Sequence, residues 1–262
     1  LLQAEKRSIH LADAMGGQVS GLITTLDVQL RGLRREWVRD PGGFNEAALG
    51  VIEALPGGFV THISVANADG YVIYDSLDNK EATYIGDRPH FQAQRDAATE
   101  DRLVVGNPVK SRIAEGWVVV VNRSILLDGR FVGTVQMMVS TALIARRLGA
   151  LQLSGQDVVA LISPDGTFVA RSRDHEEAMG TSVPSHRAFV ADRDARSGSF
   201  RTEGLVDGIA HLVPKMKELY GDKVRLVSLG QKRGLWSRFG LSLAGDLMQS
   251  VEDRALWARY GL

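Results

Sequence analysis

A strand, an Asp-Gly turn and a second strand occur twice in this chain, and no other feature restricts its fold as much. The first copy runs His62-Ile63-Ser64-Val65-Ala66-Asn67, then Ala68-Asp69-Gly70, then Tyr71-Val72-Ile73-Tyr74-Asp75. The second runs Val159-Ala160-Leu161-Ile162, then Ser163-Pro164-Asp165-Gly166, then Thr167-Phe168-Val169-Ala170. Asp-Gly supplies the positive backbone angles that a tight hairpin needs, and β-branched and aromatic residues on both sides favour paired strands. Each copy reaches a serine soon after the turn, Ser76 and Ser172. The echo extends into the following loop, where Gly180, Pro184, His186 and Phe189 follow Gly86, Pro89, His90 and Phe91. A repeat of about a hundred residues reads as a duplicated domain and not as a solenoid.

Ahead of the first hairpin, Leu11, Met15, Val19, Leu22, Leu26, Leu30, Leu33 and Trp37 fall at three- and four-residue steps, one apolar stripe along a long helix. Asp40-Pro41-Gly42-Gly43 ends it. A short helix over Asn45 to Leu55 precedes the hairpin. After it come a helix over Arg88 to Ala98, with Pro89 in its first turn, and strands at Leu103 to Val109, Gly116 to Leu126 and Arg130 to Val139. Another Asp-Gly pair, Asp128-Gly129, joins the last two. Thr141 to Leu151 reads as a linker helix. The expected fold is α+β: a helix over 1–40, a first antiparallel unit over 41–150, a second over 151–237 and a terminal helix over 238–262.

With 262 residues and 44% hydrophobic side chains the chain can bury a substantial core. Lys and Arg total 31 and Asp and Glu total 31, so no net field draws it to nucleic acid, and a nucleic-acid partner is not expected. The absence of cysteine removes disulfides, thiolate metal sites and cysteine nucleophiles. The longest charge-free apolar stretch, Phe131 to Ala145, is interrupted by Gly133, Thr134, Gln136 and Ser140 and is too short and too polar to span a bilayer. A start without Met or a signal-peptide pattern fits a piece of a longer protein.

The order and spacing of these pieces resemble the double-Cache, or tandem PAS-like, extracytoplasmic sensor modules of bacterial diguanylate cyclases, histidine kinases and chemoreceptors. The long first helix, the hairpin from Ile63 to Ser76, Asp87-Arg88-Pro89-His90-Phe91, Gly116 to Arg123 and Asp128 to Gly133 carry the likeness, which covers roughly residues 1–205. It implies two PAS-like units and a periplasmic segment between two transmembrane helices. It also implies a small-molecule ligand in the membrane-distal first unit. Pairing of Leu22, Leu26, Leu33 and Trp37 with a second copy would give a parallel homodimer.

After Phe200 such a module should continue with a short strand, a turn and an apolar strand. Glu203 to Leu226 and Arg254 to Leu262 instead resemble the carboxyl-terminal tail of signal-peptide-peptidase-type serine peptidases. The catalytic Ser and Lys of that family have no counterpart upstream here, and no catalytic residue is carried over. Whether these residues belong to the sensor fold or to a fused segment is left open by the sequence.

Tyr84, Arg88, His90 and Phe91 form the leading ligand-binding candidate, a cation and rings on one loop and helix. The arginine fork suits two-point recognition of a carboxylate. The plainer alternative pairs Arg88 with Asp87 or Asp96 and leaves Phe91 in the core. Trp117 and Asn122 reach either the pocket or the core, since alternation alone does not say which face they take. Amino-acid-binding members of the resembled family carry a Trp where His90 stands and a strand Asp near the place of Met138. A thioether cannot hold a buried ammonium, so a carboxylate or neutral metabolite is expected.

No cofactor signature is present. The six histidines, His10, His62, His90, His175, His186 and His211, show no metal-ligand spacing. Gly240 to Ala244 lacks the last glycine of a nucleophile elbow. Asp69 and Asp165 are turn formers about a domain apart and cannot serve one substrate as acid and base. The basic stretch Lys232, Arg233 and Arg238 around Trp236 reads as a solvated loop or a surface contact. The function expected is signal input and not catalysis. A peptidase-related chain and a protein-binding ectodomain without small ligand are the rivals.

Overall fold

The computed structural model describes residues 2–97, 100–150, 158–163, 165–184, 198–203, 210–215, 218–219 and 224–231; before residue 17 and after residue 184 only the backbone is described. Helix α1 (Leu2–Arg39) is continuous through Gly16-Gly17. Then come α2 (Phe44–Ala54), β1 (Val60–Asn67), β2 (Val72–Asp75), α3 (Pro89–Asp96), β3 (Val104–Val105), β4 (Val109–Lys110), β5 (Trp117–Leu127), β6 (Arg130–Ser140) and α4 (Thr141–Gly149). The rest contributes β7 (Val158–Ile162), β8 (Phe168–Arg171), α5 (His175–Ala178), β9 (Gly198–Glu203), β10 (Ala210–Lys215), β11 (Glu218–Leu219) and β12 (Val224–Gln231). The chain is α+β, a long amino-terminal helix followed by two antiparallel sheets.

It divides into two compact units, residues 22–143 and residues 1–21 with 144–262. The second half of α1 therefore belongs with the first sheet, where the sequence had set the whole helix apart. Leu26, Leu30 and Leu33 are buried, and Trp37 meets Phe44 edge-on at 5.0 Å. This corrects the expected dimer seam. Leu26 and Leu33 are committed to the core of their own unit and are not available to a second copy.

The first sheet has the order β2-β1-β6-β5-β3, with β4 also on β5. Directly opposed residues of antiparallel strands share a face, so the pairing assigns both faces. Ile63, Met137 and Val121 are in line across β1, β6 and β5, as are Val65, Val135 and Arg123. This face meets α1: Arg123 donates from its guanidinium to Asp27, with 2% and 4% of these residues exposed. The carboxylate of Asp101 also accepts from Arg123 and, at 2.7 Å, from Arg34. The opposite face carries His62, Met138 and Val120 in one row and Ser64, Gln136 and Asn122 in the next.

The repeat extends to individual hydrogen bonds. In the first hairpin the Gly70 amide donates to Asn67 O at 3.0 Å and the Asn67 amide to Tyr71 O; in the second the Gly166 amide donates to Ser163 O at 2.9 Å and the Ser163 amide to Thr167 O. Only the glycine of each Asp-Gly pair takes positive φ, +88° and +93°, the three-residue loop with a glycine bulge. At Asp128-Gly129 both residues do, at 50° and 73°, the two-residue turn the sequence reading expected everywhere. The echoed serines close the hairpins. Ser76 Oγ accepts from the Ile63 amide at 3.0 Å and Ser172 Oγ from the Val159 amide at 2.9 Å.

In the loops, the Ile85 amide donates to Gly70 O and the Val183 amide to Gly166 O. Ile85 thus corresponds to Val183. Gly180 precedes that point and is not the counterpart of Gly86, which corrects the alignment of the two loops. His186, Phe189 and the expected helix over 238–262 lie outside the described residues.

The second sheet has the order β8-β7-β12-β10-β9, with β11 on β12. Its final strand β12 pairs with β7 from Arg225↔Ile162 to Leu229↔Val158, just as β6 lies beside β1. The segment expected to depart from the sensor pattern after Phe200 therefore supplies the strands that complete this sheet. Hydrophobic content between Glu203 and Leu226 was too interrupted by Gly, Pro and charge to read as strand.

Candidate functional site

The unit formed by residues 22–143 holds a cavity of about 40 Å³ on the face of the sheet turned away from α1. Its floor is the polar and apolar row just described: His62 and Ser64 from β1, Gln136 and Met138 from β6, Val118 and Val120 from β5. Arg88 and His90 enter from the start of α3, Lys110 from the end of β4, and Ser111 and Arg112 from the turn after it. Pro89 at the start of α3 suits a helix N-terminus, where no amide partner is lost. That geometry sets His90 in the first turn, facing the sheet.

Charge around the cavity is one-sided. Arg112 grips Asp87 through two bonds of 2.8 and 2.7 Å and also donates to Tyr84 O. Asp87 is thereby held below the usual carboxylate range, chiefly by that hydrogen bond. Asp96 pairs with Arg95 at 3.4 Å. Neither aspartate pairs with Arg88, whose guanidinium donates to Lys110 O at 3.3 Å. Among the described residues no carboxylate lies within ion-pair distance of Arg88, and none lines the cavity.

The polar floor is incompletely paired. Gln136 Nε2 donates to Ser64 Oγ at 3.0 Å, while buried Gln136 Oε1 has no partner. His90 Nδ1 is buried and without a partner. Thr61 Oγ1 donates to Met138 O at 3.2 Å and contacts His62 Nδ1 at 2.9 Å. Burial lowers both His62 and His90 to about 4, with the Arg88 charge adding to the effect at His90. Both rings are neutral at physiological pH.

Of the residues singled out from sequence, Arg88, His90 and Met138 come together at the cavity. The other four do not line it. Tyr84 is exposed, its ring 5.1 Å from Tyr71 and packed against Gly86. Phe91 is fully buried with Ala66 and Ile85. Trp117 lies beside Lys110, whose ammonium is 5.7 Å from its ring centre. Asn122 is buried behind the cavity: its amide donates to His90 O at 3.2 Å, and its Oδ1 accepts from Gln94 at 2.8 Å. It fixes α3 to the sheet.

His62, Ser64, Gln136 and the Lys110 to Arg112 turn were missed. A signal existed for the strands, since His62, Ser64 and Gln136 interrupt apolar runs at two-residue spacing. For the turn there was none. Among the described residues, no three His, Asp or Glu side chains gather as a metal site, and no helix is long and apolar enough to cross a membrane.

No family model matches the chain. A stretch of 75 residues is 32% identical to the Na(+)/H(+) antiporter NhaA of Brucella melitensis, and spans 22% of this chain and 10% of that protein. Another of 104 residues is 34% identical to the Tol-Pal system protein TolA of Pseudomonas aeruginosa, 39% of this chain and 29% of that one. The chain thus spans less than a third of either relative. Likeness to solved structures covers far more. The extracellular domain of the histidine kinase rpHK1S-Z16 matches 88% of this chain and 95% of its own at a TM-score of 0.76 and 20% identity. The ligand-binding domain of the Pseudomonas aeruginosa amino acid chemoreceptor PctB, in complex with L-Arg, matches 87% and 95% at 0.64 and 16% identity. That of the Pseudomonas fluorescens chemoreceptor CtaA with L-serine matches 87% and 95% at 0.60 and 15% identity. At these identities the likeness is one of fold, and the fold is that of extracellular ligand-binding sensor domains. None of these proteins supports the peptidase likeness of the tail.

Proposed function

We propose that this chain is the signal-input segment of a membrane-bound bacterial receptor and binds a small carboxylate or neutral metabolite in the cavity of residues 22–143. The observation that carries this reading is the pairing of an uncompensated Arg88 with buried, unpartnered polar atoms of His90 and Gln136 in one cavity. Buried polar groups without partners cost free energy, and a ligand that satisfies them recovers it. Fold likeness to extracellular sensor domains supports the same reading.

In this reading the segment lies outside the inner membrane between two transmembrane helices, with the unit of residues 22–143 distal to the bilayer. A homodimer, if formed along α1, uses the side that carries exposed Val28 and Val38. Ligand closes the loop from Ile85 to His90 onto the sheet. Only a ligand with different affinity for two arrangements of the receptor transmits a signal. The amino acids bound by PctB and CtaA carry an ammonium group, for which this cavity offers no carboxylate.

A thermal-shift screen of carboxylates, sugars, purines and amines on the full chain tests the proposal. A ligand present at a hundred times its dissociation constant adds about 2.7 kcal/mol of stability, and Arg88→Ala removes the shift. Failure of every compound class would count for a protein-binding ectodomain instead.

A further inference from the structure

The cavity floor selects among carboxylates, and this inference rests on the ligand-binding reading above. Ser64 Oγ accepts from Gln136 Nε2 and so keeps its own proton to donate. Gln136 Oε1, on the same amide, is an acceptor with no donor. Ser64 and Gln136 are opposed in the sheet and both line the cavity. The floor therefore presents one donor and one acceptor side by side. A hydroxyl both donates and accepts, and matches this pair. A keto oxygen only accepts, and an ammonium only donates.

Charge separates the last two cases further. Arg88, Lys110 and Arg112 line the cavity, and no carboxylate does. A ligand ammonium would be a fourth cation beside Arg88, Lys110 and Arg112, and the nearby carboxylate of Asp87 is already held by Arg112. A ligand carboxylate, by contrast, meets the Arg88 fork. The remaining wall is Val109, Val118, Val120 and Met138, which form one apolar cluster. It suits a short alkyl group. Holding one water takes at least about 10–15 Å³, so a cavity of about 40 Å³ suits a small acid.

We infer that the ligand class is a short 2-hydroxy monocarboxylate, its carboxylate on Arg88, its hydroxyl between Ser64 and Gln136, and its alkyl end on Met138 and the valines. The discriminating experiment is calorimetric titration of the full chain with four acids of equal carbon number: lactate, propionate, pyruvate and alanine. Lactate is expected to bind about tenfold tighter than propionate or pyruvate, the equivalent of one lost hydrogen bond, and alanine most weakly. Gln136→Leu is expected to bring lactate down towards propionate, and Ser64→Ala to act in the same direction. The order among the four acids on the unaltered chain needs no variant, so a variant that fails to fold does not remove the test.

Alanine or pyruvate binding as tightly as lactate would overturn the inference. Arg88-dependent binding of some other class, with lactate silent, would overturn it while leaving the sensor cavity standing. Silence from the four acids and from the wider metabolite screen would sink both.

Discussion

Arg112 holds Asp87 fork to fork, at 2.8 and 2.7 Å, and thereby takes away the carboxylate that Arg88, one residue further on, would otherwise have had. An arginine next to an aspartate in sequence reads as half of a local pair. Here a residue from the turn after β4 claims the aspartate, and Arg88 lines the cavity without a carboxylate partner.

Two substitutions separate these roles. Arg88→Ala is expected to lower carboxylate affinity by about 10²-fold, the loss of a charge-assisted two-point contact of roughly 1.5–3 kcal/mol, with thermal stability nearly unchanged. Arg112→Ala frees Asp87 to neutralise Arg88, and affinity should fall by about tenfold. Restoration in Arg112→Ala/Asp87→Ala, measured by titration calorimetry, is the signature of competition for Asp87. An unrestored double variant would mean that Arg112 contacts the ligand itself.

Acid should destabilise the unit through its two buried histidines. His62 and His90 sit at about 4 in the folded state against 6.5 for a free side chain. Between these values the unfolded chain binds more protons, so stability is complete above about pH 6.5 and falls as pH drops towards 4. Each histidine contributes at most about 3 kcal/mol. Urea midpoints measured from pH 7.5 to 4.5 check this, and His62→Phe should flatten the profile. Ligand affinity, in contrast, should stay level from about pH 6 to 8, because neither ring changes charge there.

Asn122 holds His90 in place from behind the cavity. Asn122→Ala removes the donor to His90 O and one of three acceptors of Gln94 Nε2, which keeps the Asn122 and Arg102 carbonyls. A stability loss of about 1–3 kcal/mol is expected, together with weaker ligand binding. Asn122→Asp keeps an acceptor for Gln94 but loses the donor to His90. If affinity fell as in the alanine variant while stability partly returned, a positioning role would be supported; equal recovery of both would refute it.

Cutting the tie between α1 and the sheet should be costly. Asp27→Ala leaves Arg123, which is 2% exposed, with the more exposed Asp101 as its remaining partner in these pairs. Loss of one partner of a buried ion pair costs about 3–5 kcal/mol. The denaturation midpoint should drop with an unchanged slope. A change below about 1 kcal/mol would show that water or Asp101 replaces the lost carboxylate.

Gly70→Ala addresses the repeat. Gly70 has φ +88°, and a Cβ there would lie 2.5 Å from the Gly86 Cα, backbone against backbone. The expected loss is about 1–3 kcal/mol, and the loop from Ile85 to His90 should shift with it, since the Ile85 amide is bonded to Gly70 O. Near-wild-type stability and ligand affinity would mean that the two loops part without consequence.

The hairpins, the serines that close them, the long helix and the start of α3 were legible because each rests on short-range chemistry: glycine at positive φ, proline at a helix start, alternation at period two, apolar steps of three and four. Those signals also placed Arg88 and His90 near one another, while Met138 came only from the family resemblance. They could not say which face of the sheet is which. Tyr84 was grouped with Arg88 by proximity in sequence, yet its ring turns outward to Tyr71, while Ser64 and Gln136, far apart in sequence, meet at 3.0 Å. The closing strands of the second sheet were lost for the same reason, since β12 is recognised as a strand through its pairing with β7 and not through its own composition. By itself the sequence determined the elements and their duplication, which local backbone energetics decide. Only the tertiary structure decided the partners of Asp87, Arg88, Asn122 and Gln136, because pairing across strands and loops depends on register and on which competing group reaches a charge first.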